Sequence, residues 1–425
     1  MKYIEMSPAR LRSEYNKQVK TIEEYKAMGL KLDMSRGKPD SEQLSLSDPM
    51  LTSLDSGDKC VYNGFDMRNY GILDGIPQAK QILADMLEVP SENIIVCGNS
   101  SLNIMYDTVV RAMLYGVSKE SEPWIKQGTV RFLCPSPGYD RHFSICQSLG
   151  IEMIPVPINS DGPDMDVIEK YVSSDPMIKG VWCVPKYSNP TGITYSDEVV
   201  RRFASLKPAA EDFRIFWDNA YAVHDLYDEG DKLLDIVNEA INAGNPDIVY
   251  EFTSTSKITF PGSGIACIAA STHNLNYIRS IMTAQTIGYD KLNMLRHVLF
   301  FKDIDGVKEQ MRKHAILLRP KFEVVLNAFE KGLREYDVAE WTSPRGGYFI
   351  SLDNKYGSAK RVWQLMSECG VKMTGAGATF PYGNDPKDSN LRIAPTYPPI
   401  EELSIAVDVL VCCVKIAALE KLIFN

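Results

Sequence analysis

The sequence is short of most features that mark a membrane, secreted, metal-binding or nucleic-acid-binding protein. No apolar stretch among its 425 residues approaches the roughly 18 needed to cross a bilayer. The opening Met1-Lys2-Tyr3-Ile4-Glu5-Met6-Ser7 lacks the apolar centre of a secretory signal. Nine cysteines are present and none forms a C-x-x-C pair. Most lie in apolar segments such as Ile94-Ile95-Val96-Cys97, and Cys412 and Cys413 are adjacent in an apolar helical pattern. An odd, scattered set of this kind reads as reduced, buried thiols of a cytoplasmic protein. The five histidines, at 142, 224, 273, 297 and 314, show no metal-ligand spacing, so no metal is expected. Positive charge is in deficit, with 46 Lys and Arg against 55 Asp and Glu and a formal charge of −9. That balance speaks against a nucleic-acid partner and leaves a local anion site open. There is no internal repeat and no low-complexity tract.

What is present is an ordinary globular composition, 44% hydrophobic and 24% charged, on a chain long enough for two or three domains. Short apolar runs at 93–97, 130–134, 152–156, 180–184, 214–218, 248–252 and 264–270 read as seven strands. Amphipathic stretches such as 103–115 and 141–150 separate several of them. Such alternation implies βαβ units and a mostly parallel sheet covered on both faces, whose ligands sit at the carboxyl ends of the strands. Beyond about residue 300 the pattern changes to a long helix over 304–331, broken or kinked near Pro320. Strands at 347–352 and 390–395 and a closing helix over 402–422 follow. The predicted division is an N-terminal arm with part of a small domain over 1–48, a large domain over 49–300, and the long interdomain helix with a small α/β domain over 301–425. The arm reads as helical and then extended, packed on the small domain or on a partner.

The chemistry centres on Lys257, in Thr253-Ser254-Thr255-Ser256-Lys257, and on Asp218, which closes the apolar run Arg214-Ile215-Phe216-Trp217. A lone lysine is ordinarily a surface residue. Together, however, the two suit pyridoxal phosphate: the lysine holds it as a Schiff base, and the aspartate keeps its ring nitrogen protonated. A buried Asp218 also needs a cationic partner. Tyr221, three residues on, and Asn189, in Ser188-Asn189-Pro190-Thr191-Gly192, are placed to reach the ring hydroxyl, although Asn-Pro-Thr-Gly also reads as a plain turn. Gly98-Asn99-Ser100-Ser101 leaves a strand and enters a helix. Its hydroxyls and free amides make a phosphate cradle, or simple helix caps. Ser254 adds a further hydroxyl. Tyr139, in Pro137-Gly138-Tyr139-Asp140-Arg141-His142, is either a stacking partner for the ring or a surface loop residue. Arg392, inside the apolar strand Leu391-Arg392-Ile393, suits a substrate carboxylate or an interdomain ion pair.

In this order and spacing the motifs resemble the fold-type-I pyridoxal-phosphate aminotransferases of class I. Tyr70-Gly71-Ile72-Leu73-Asp74-Gly75 and Met34-Ser35-Arg36-Gly37-Lys38-Pro39 extend the likeness to a divergent bacterial subgroup of aspartate aminotransferases. The resemblance implies a large domain with a mostly parallel seven-stranded sheet, a smaller C-terminal α/β domain and a cytoplasmic homodimer. It implies ping-pong transamination between an L-amino acid, aspartate or glutamate, and a 2-oxo acid. Carried over, Lys257 bears the cofactor and shuttles the proton, Asp218 faces the pyridinium, and Tyr221 and Asn189 the phenolic oxygen. Tyr139 stacks on the ring, and Ser100, Ser101 and Ser254 hold the phosphate. Gly37, Asn189 and Arg392 receive the substrate carboxylate, and Tyr70 reaches the phosphate in the neighbouring subunit.

Two positions depart from the pattern. Where most relatives place a phosphate-binding arginine after the lysine, this chain has Ser263. No motif marks the residue for a second substrate carboxylate; Arg36, Lys38, Arg141, Lys291 and Arg345 are the candidates. The same fold and lysine also serve amino-acid lyases and decarboxylases. A regulator built on such a domain is a further reading, disfavoured by the early Tyr70 motif and the acidic charge.

Overall fold

Unbroken apolar runs build the large sheet. In the computed structural model, which describes residues 1–424, eight strands form it: β1 (Ile94–Val96), β2 (Arg131–Ser136), β3 (Glu152–Asn159), β4 (Gly162–Pro163), β5 (Ile178–Cys183), β6 (Arg214–Asp218), β7 (Val249–Ser254) and β8 (Ala266–Ala269). Their order is β1-β8-β7-β6-β5-β2-β3-β4. β8 is antiparallel to both neighbours, and β4 is antiparallel to β3; the remaining pairs are parallel. The seven strands expected from sequence are all present. The eighth, β4, is a two-residue return on the edge, and a Gly-Pro pair carries no strand signature.

Side chains alternate across this sheet with period two. On β6, Ile215 and Trp217 enter the apolar layer on one face, and Phe216 enters the layer on the other. On β7, Val249 joins the first layer, and Tyr250 and Phe252 the second. Burial on both faces explains the continuous apolar reading of these strands. The same alternation puts Asp218 on the face of Phe216.

A third apolar cluster joins α1 (Pro8–Ala27), α4 (Ile304–Gly332) and α5 (Ile400–Phe424) to a small sheet of β9 (Ala339–Trp341), β10 (Ile350–Asn354) and β11 (Asn390–Ile393). Two shorter helices, α2 (Ser101–Tyr115) and α3 (Asp140–Ser148), leave the large sheet toward the site. The arm is part of the small layer: α1 packs on α5, and Leu32–Asp33 pairs in parallel with Val371–Lys372.

Two local expectations are corrected. α4 runs on through Pro320 without the break that is one of the two readings there. The proline withdraws the N–H that would serve the Ile316 carbonyl, and Ile316 is 68% exposed, on the solvent side of the helix, where a lost helical bond costs least. Leu318 and Phe322, buried on either side, hold the helix in place. The strand expected from 347 starts at Ile350, because Gly347 has φ +77 and donates its N–H to the His224 carbonyl at 2.9 Å.

All nine cysteines are buried and free. Among the described residues, no group of three or more His, Cys, Asp or Glu is placed to hold a metal ion. No described helix is long and apolar enough to cross a membrane.

One buried acid makes the fold sensitive to pH. Glu251 on β7 is 3% exposed, and its Oε1 accepts from Asn219 Nδ2 at 3.0 Å. Burial raises its pKa from 4.5 to about 8, against the pull of the Asn219 bond. The folded state therefore keeps a proton that the unfolded chain releases, so this contribution to stability is lost as pH rises from about 4.5 through 8. Denaturant midpoints at pH 5 and pH 8.5 should show Glu251→Gln gaining on the wild type by on the order of 2–4 kcal/mol across that interval. A constant difference between the two proteins contradicts the protonated acid.

Candidate active site

The parallel strands β2, β5, β6 and β7 all end at one edge, and the loops leaving them deliver Tyr139, Asn189, Tyr221 and Lys257 to a cavity of about 480 Å³. Its wall also includes Asp218 from β6, Ser101 from α2, Gly37 from the N-terminal segment and Arg392 from β11. Eight of the sequence-predicted site residues thus share one cavity. Three stand outside its wall. Ser100 precedes α2, Ser254 is buried at the end of β7, and Tyr70 lies 78% exposed on a loop.

Asp218 is 2% exposed. Its partner is a residue the sequence reading passed over: His142 Nε2 stands 3.0 Å from Oδ2. His142 is itself buried on α3, its ring stacked on Trp182 at 4.4 Å and edge-on to Tyr139 at 5.0 Å. The only sequence signal was its place on the buried face of an amphipathic stretch, three residues after Tyr139. Asp218 Oδ1 has no partner. An unsatisfied buried carboxylate oxygen is costly, and a cationic N–H donor in the cavity would satisfy it.

Lys257 lines the same cavity, its Nζ 5.1 Å from the Tyr221 ring centre and 5.8 Å from that of Tyr348. Burial pushes its pKa below the ordinary lysine value, and the Asp218 carboxylate opposes the shift. The neutral, nucleophilic amine is thereby favoured. Its backbone is tied down from behind by residues that no local pattern selects. Tyr348 donates its hydroxyl to the Lys257 carbonyl at 3.4 Å and accepts from Gln43 Nε2 at 2.8 Å. His314 and Gln310, both on α4, donate to the next carbonyl, that of Ile258, at 2.9 and 3.3 Å. His224, edge-on to Tyr221 at 5.5 Å, has both ring nitrogens buried without partners, and burial holds its pKa well below the ordinary value.

The turn before α2 has free donors. Gly98 adopts φ +67, a conformation glycine takes without strain, and α2 then presents its free amides. Ser100 occupies the cap position yet makes no capping bond, so its hydroxyl is available to a ligand. The Ser254 segment closes on this turn: a Cβ on Gly264 would lie 3.0 Å from the Asn99 carbonyl and 3.2 Å from Thr255 Oγ1. Ser254 Oγ bonds Ser256 Oγ at 3.0 Å. Ser263, where an arginine is usual, is committed elsewhere, donating to Asn293 Oδ1 at 3.2 Å.

Arg392 is 8% exposed and lies over the Phe349 ring at 5.1 Å. Nη1 donates to Asp140 Oδ1 at 2.8 Å and to Asn189 Oδ1 at 3.4 Å, and Nη2 donates to Thr374 Oγ1 at 3.2 Å. The anion facing it in this structure is therefore a protein carboxylate, that of Asp140 at the start of α3. Gly37 fits flat against Phe349; a Cβ there would stand 2.4 Å from Phe349 Cζ. Of the candidates for a second carboxylate, Arg36, Lys38 and Arg141 line the cavity, as does Lys372, which the sequence did not suggest. Lys291 and Arg345 do not; Arg345 is bonded to the Glu229 carbonyl and faces Asp231.

A parallel-centred sheet with a lysine and a half-satisfied buried aspartate at its carboxyl edge defines an α/β transferase of fold type I. The chain belongs to the aspartate aminotransferase family, whose profile, described as aspartate amino-transferase, matches residues 6–425. It is 48% identical over 399 residues to an aspartate aminotransferase of Corynebacterium glutamicum, covering 94% of this chain and 92% of that one. A crystal structure of an aspartate transaminase from the same species superposes with a TM-score of 0.96 at 46% identity over 99% of both chains. The α-aminoadipate aminotransferase of Thermus thermophilus, at 20% identity and TM-score 0.72 over 97% and 95% of the two chains, shares the fold. The protein is an aminotransferase.

The Gly37–Phe349–Arg392 stack gives a test of the carboxylate site. Gly37→Ala should push the Phe349 ring off its seat and raise KM for amino-acid substrates about tenfold, on the order of 1.4 kcal/mol of binding. Steady-state kinetics showing an unchanged KM would remove Gly37 from the site.

Proposed function

We propose that the protein is a pyridoxal-phosphate-dependent aminotransferase acting between a dicarboxylic L-amino acid, aspartate or glutamate, and a 2-oxo acid. The observation that carries this reading is the unpartnered Asp218 Oδ1 in the same cavity as a lysine whose ammonium is disfavoured by burial. When bound, the cofactor supplies an electron sink for the pair left behind as the α-proton departs. The chain does the rest. Asp218, oriented by His142, would hold the proton on the ring nitrogen. Tyr221 and Asn189 would donate to the phenolic oxygen, and Tyr139 would cover the ring face. Ser100, Ser101, Ser254 and the α2 amides would hold the phosphate, hydroxyls and backbone standing in for the arginine absent at 263. Lys257 would anchor the cofactor and, as a free amine, would carry the α-proton from the substrate's α-carbon to the cofactor's C4′. Gly37, Asn189 and Arg392 receive the α-carboxylate.

The dicarboxylate preference rests on charge. In a chain of formal charge −9, Arg36, Lys38, Arg141 and Lys372 are exposed along the cavity wall. None of the four belongs to an ion pair among the described residues. A cleft lined by one sign of charge concentrates ligands of the other. Exposed Tyr70, free of its own cavity, supports the homodimer with shared sites, and the buried thiols suit a cytoplasmic enzyme. We assign cofactor binding to residues 49–300, and the α-carboxylate clamp to the unit of 1–48 and 301–425. Nothing in the cavity favours a lyase, decarboxylase or regulator over amino transfer.

Two experiments bear on this reading. Lys257→Ala should abolish transfer from L-aspartate while circular dichroism shows a folded chain; near-normal turnover would sink the scheme. Arg36→Ala, Arg141→Ala and Lys372→Ala should each raise KM for L-aspartate roughly three- to tenfold, about 0.7–1.4 kcal/mol, and leave KM for L-alanine nearly unmoved. Equal losses on both substrates would show that these cations do not read a second carboxylate.

A further inference from the structure

Arg392 already holds a carboxylate. Asp140 Oδ1 accepts from Nη1 at 2.8 Å, while Asn189 shares that nitrogen and Thr374 engages Nη2. Nε is buried with no partner. The two members of the pair differ in situation: the arginine side chain is 8% exposed and the aspartate 33%. A nearly buried guanidinium needs a counter-charge at all times. Asp140 supplies one, but from a position open to solvent and within the wall of the same cavity.

Asp140 also has somewhere to go. It is the first residue of α3, in the turn where free amides and the helix dipole favour a carboxylate, and Arg141 stands beside it. Leaving Arg392 therefore does not strand its charge. Two carboxylates crowd one guanidinium with mutual repulsion, and an incoming carboxylate that grips it end-on through Nη1 and Nη2 takes the place of Asp140 on Nη1.

We propose that Asp140 is a built-in competitor for the substrate-carboxylate clamp, an affinity-setting residue that neutralises Arg392 when no substrate is bound and yields it on binding. The inference rests on the assignment of Arg392 to the substrate carboxylate. In this arrangement Asp140 weakens the binding of every carboxylate ligand, and it spares the site a bare buried cation between turnovers.

The test is calorimetric titration of the cofactor-loaded wild type, Asp140→Asn and Asp140→Ser with succinate, a dicarboxylate with neither amino nor keto group. KM values for L-aspartate and 2-oxoglutarate are measured on the same proteins. Asparagine keeps the shape and an acceptor for Nη1, and serine suits a first helical turn, so two independently tolerated replacements report on one charge. Both variants should bind succinate about tenfold more tightly than the wild type, and KM for the two substrates should fall in parallel. Equal or weaker succinate binding by the variants overturns the inference, because Asp140 then positions the clamp or is indifferent to it. Binding by none of the three proteins overturns the placement of the carboxylate on Arg392, and the competitor with it.

Discussion

A carboxylate at the end of a buried strand must find partners, and much of this structure is arranged around the one at Asp218. Its position follows from register. The last residue of β6 falls on the Phe216 face, where Trp182 already provides an aromatic floor. His142 stacks on that floor and meets one carboxylate oxygen; the other oxygen is left for the cavity. The aspartate then acts on Lys257 through its charge, moderating the loss of proton affinity that burial imposes. Sheet register, aromatic packing and lysine basicity are thus linked through one side chain.

The elements that sequence revealed were those with a strong local signature. Strands buried on both faces announce themselves as apolar runs, and residues just past their ends, such as Tyr139, Asn189, Tyr221 and Lys257, inherit their placement from the sheet. Elements whose identity depends on distant chain were not legible. Gln43, His314 and Tyr348 converge behind Lys257 from the arm, the long helix and the small domain, and no pattern in one segment predicts meeting another. His142 and Phe349 were hidden for a similar reason, each being an ordinary buried ring whose role is set by what it touches. At Pro320 a local rule about helix interiors suggested a break, and the packing of Leu318 and Phe322 on either side outweighed it. Arg392 was legible as a buried cation; that its partner would be Asp140, 252 residues away, was not.

Charge is distributed unevenly in a way that net composition conceals. The acidic excess lies outside the cavity, and the wall itself carries Arg36, Lys38, Arg141, Lys372 and Arg392 against Asp140 and Asp218. Both of those acids lie against specific partners, Arg392 and His142, so Arg36, Lys38, Arg141 and Lys372 stand exposed along the wall with no ion-pair partner among the described residues. An acidic protein can in this way present an attractive entrance to anions, and its overall charge gives no hint of it.

The tether between α4 and the lysine loop has a mechanical consequence. Gln310 and His314 grip the Ile258 carbonyl within the first half of a helix that runs from Ile304 to Gly332. The later turns of that helix are embedded with α5 in the small apolar core. The helix is therefore a strut that fixes the backbone beside the reactive amine to the apolar core in which the strand of Arg392 is set. The spacing of nucleophile and clamp is held by one continuous element.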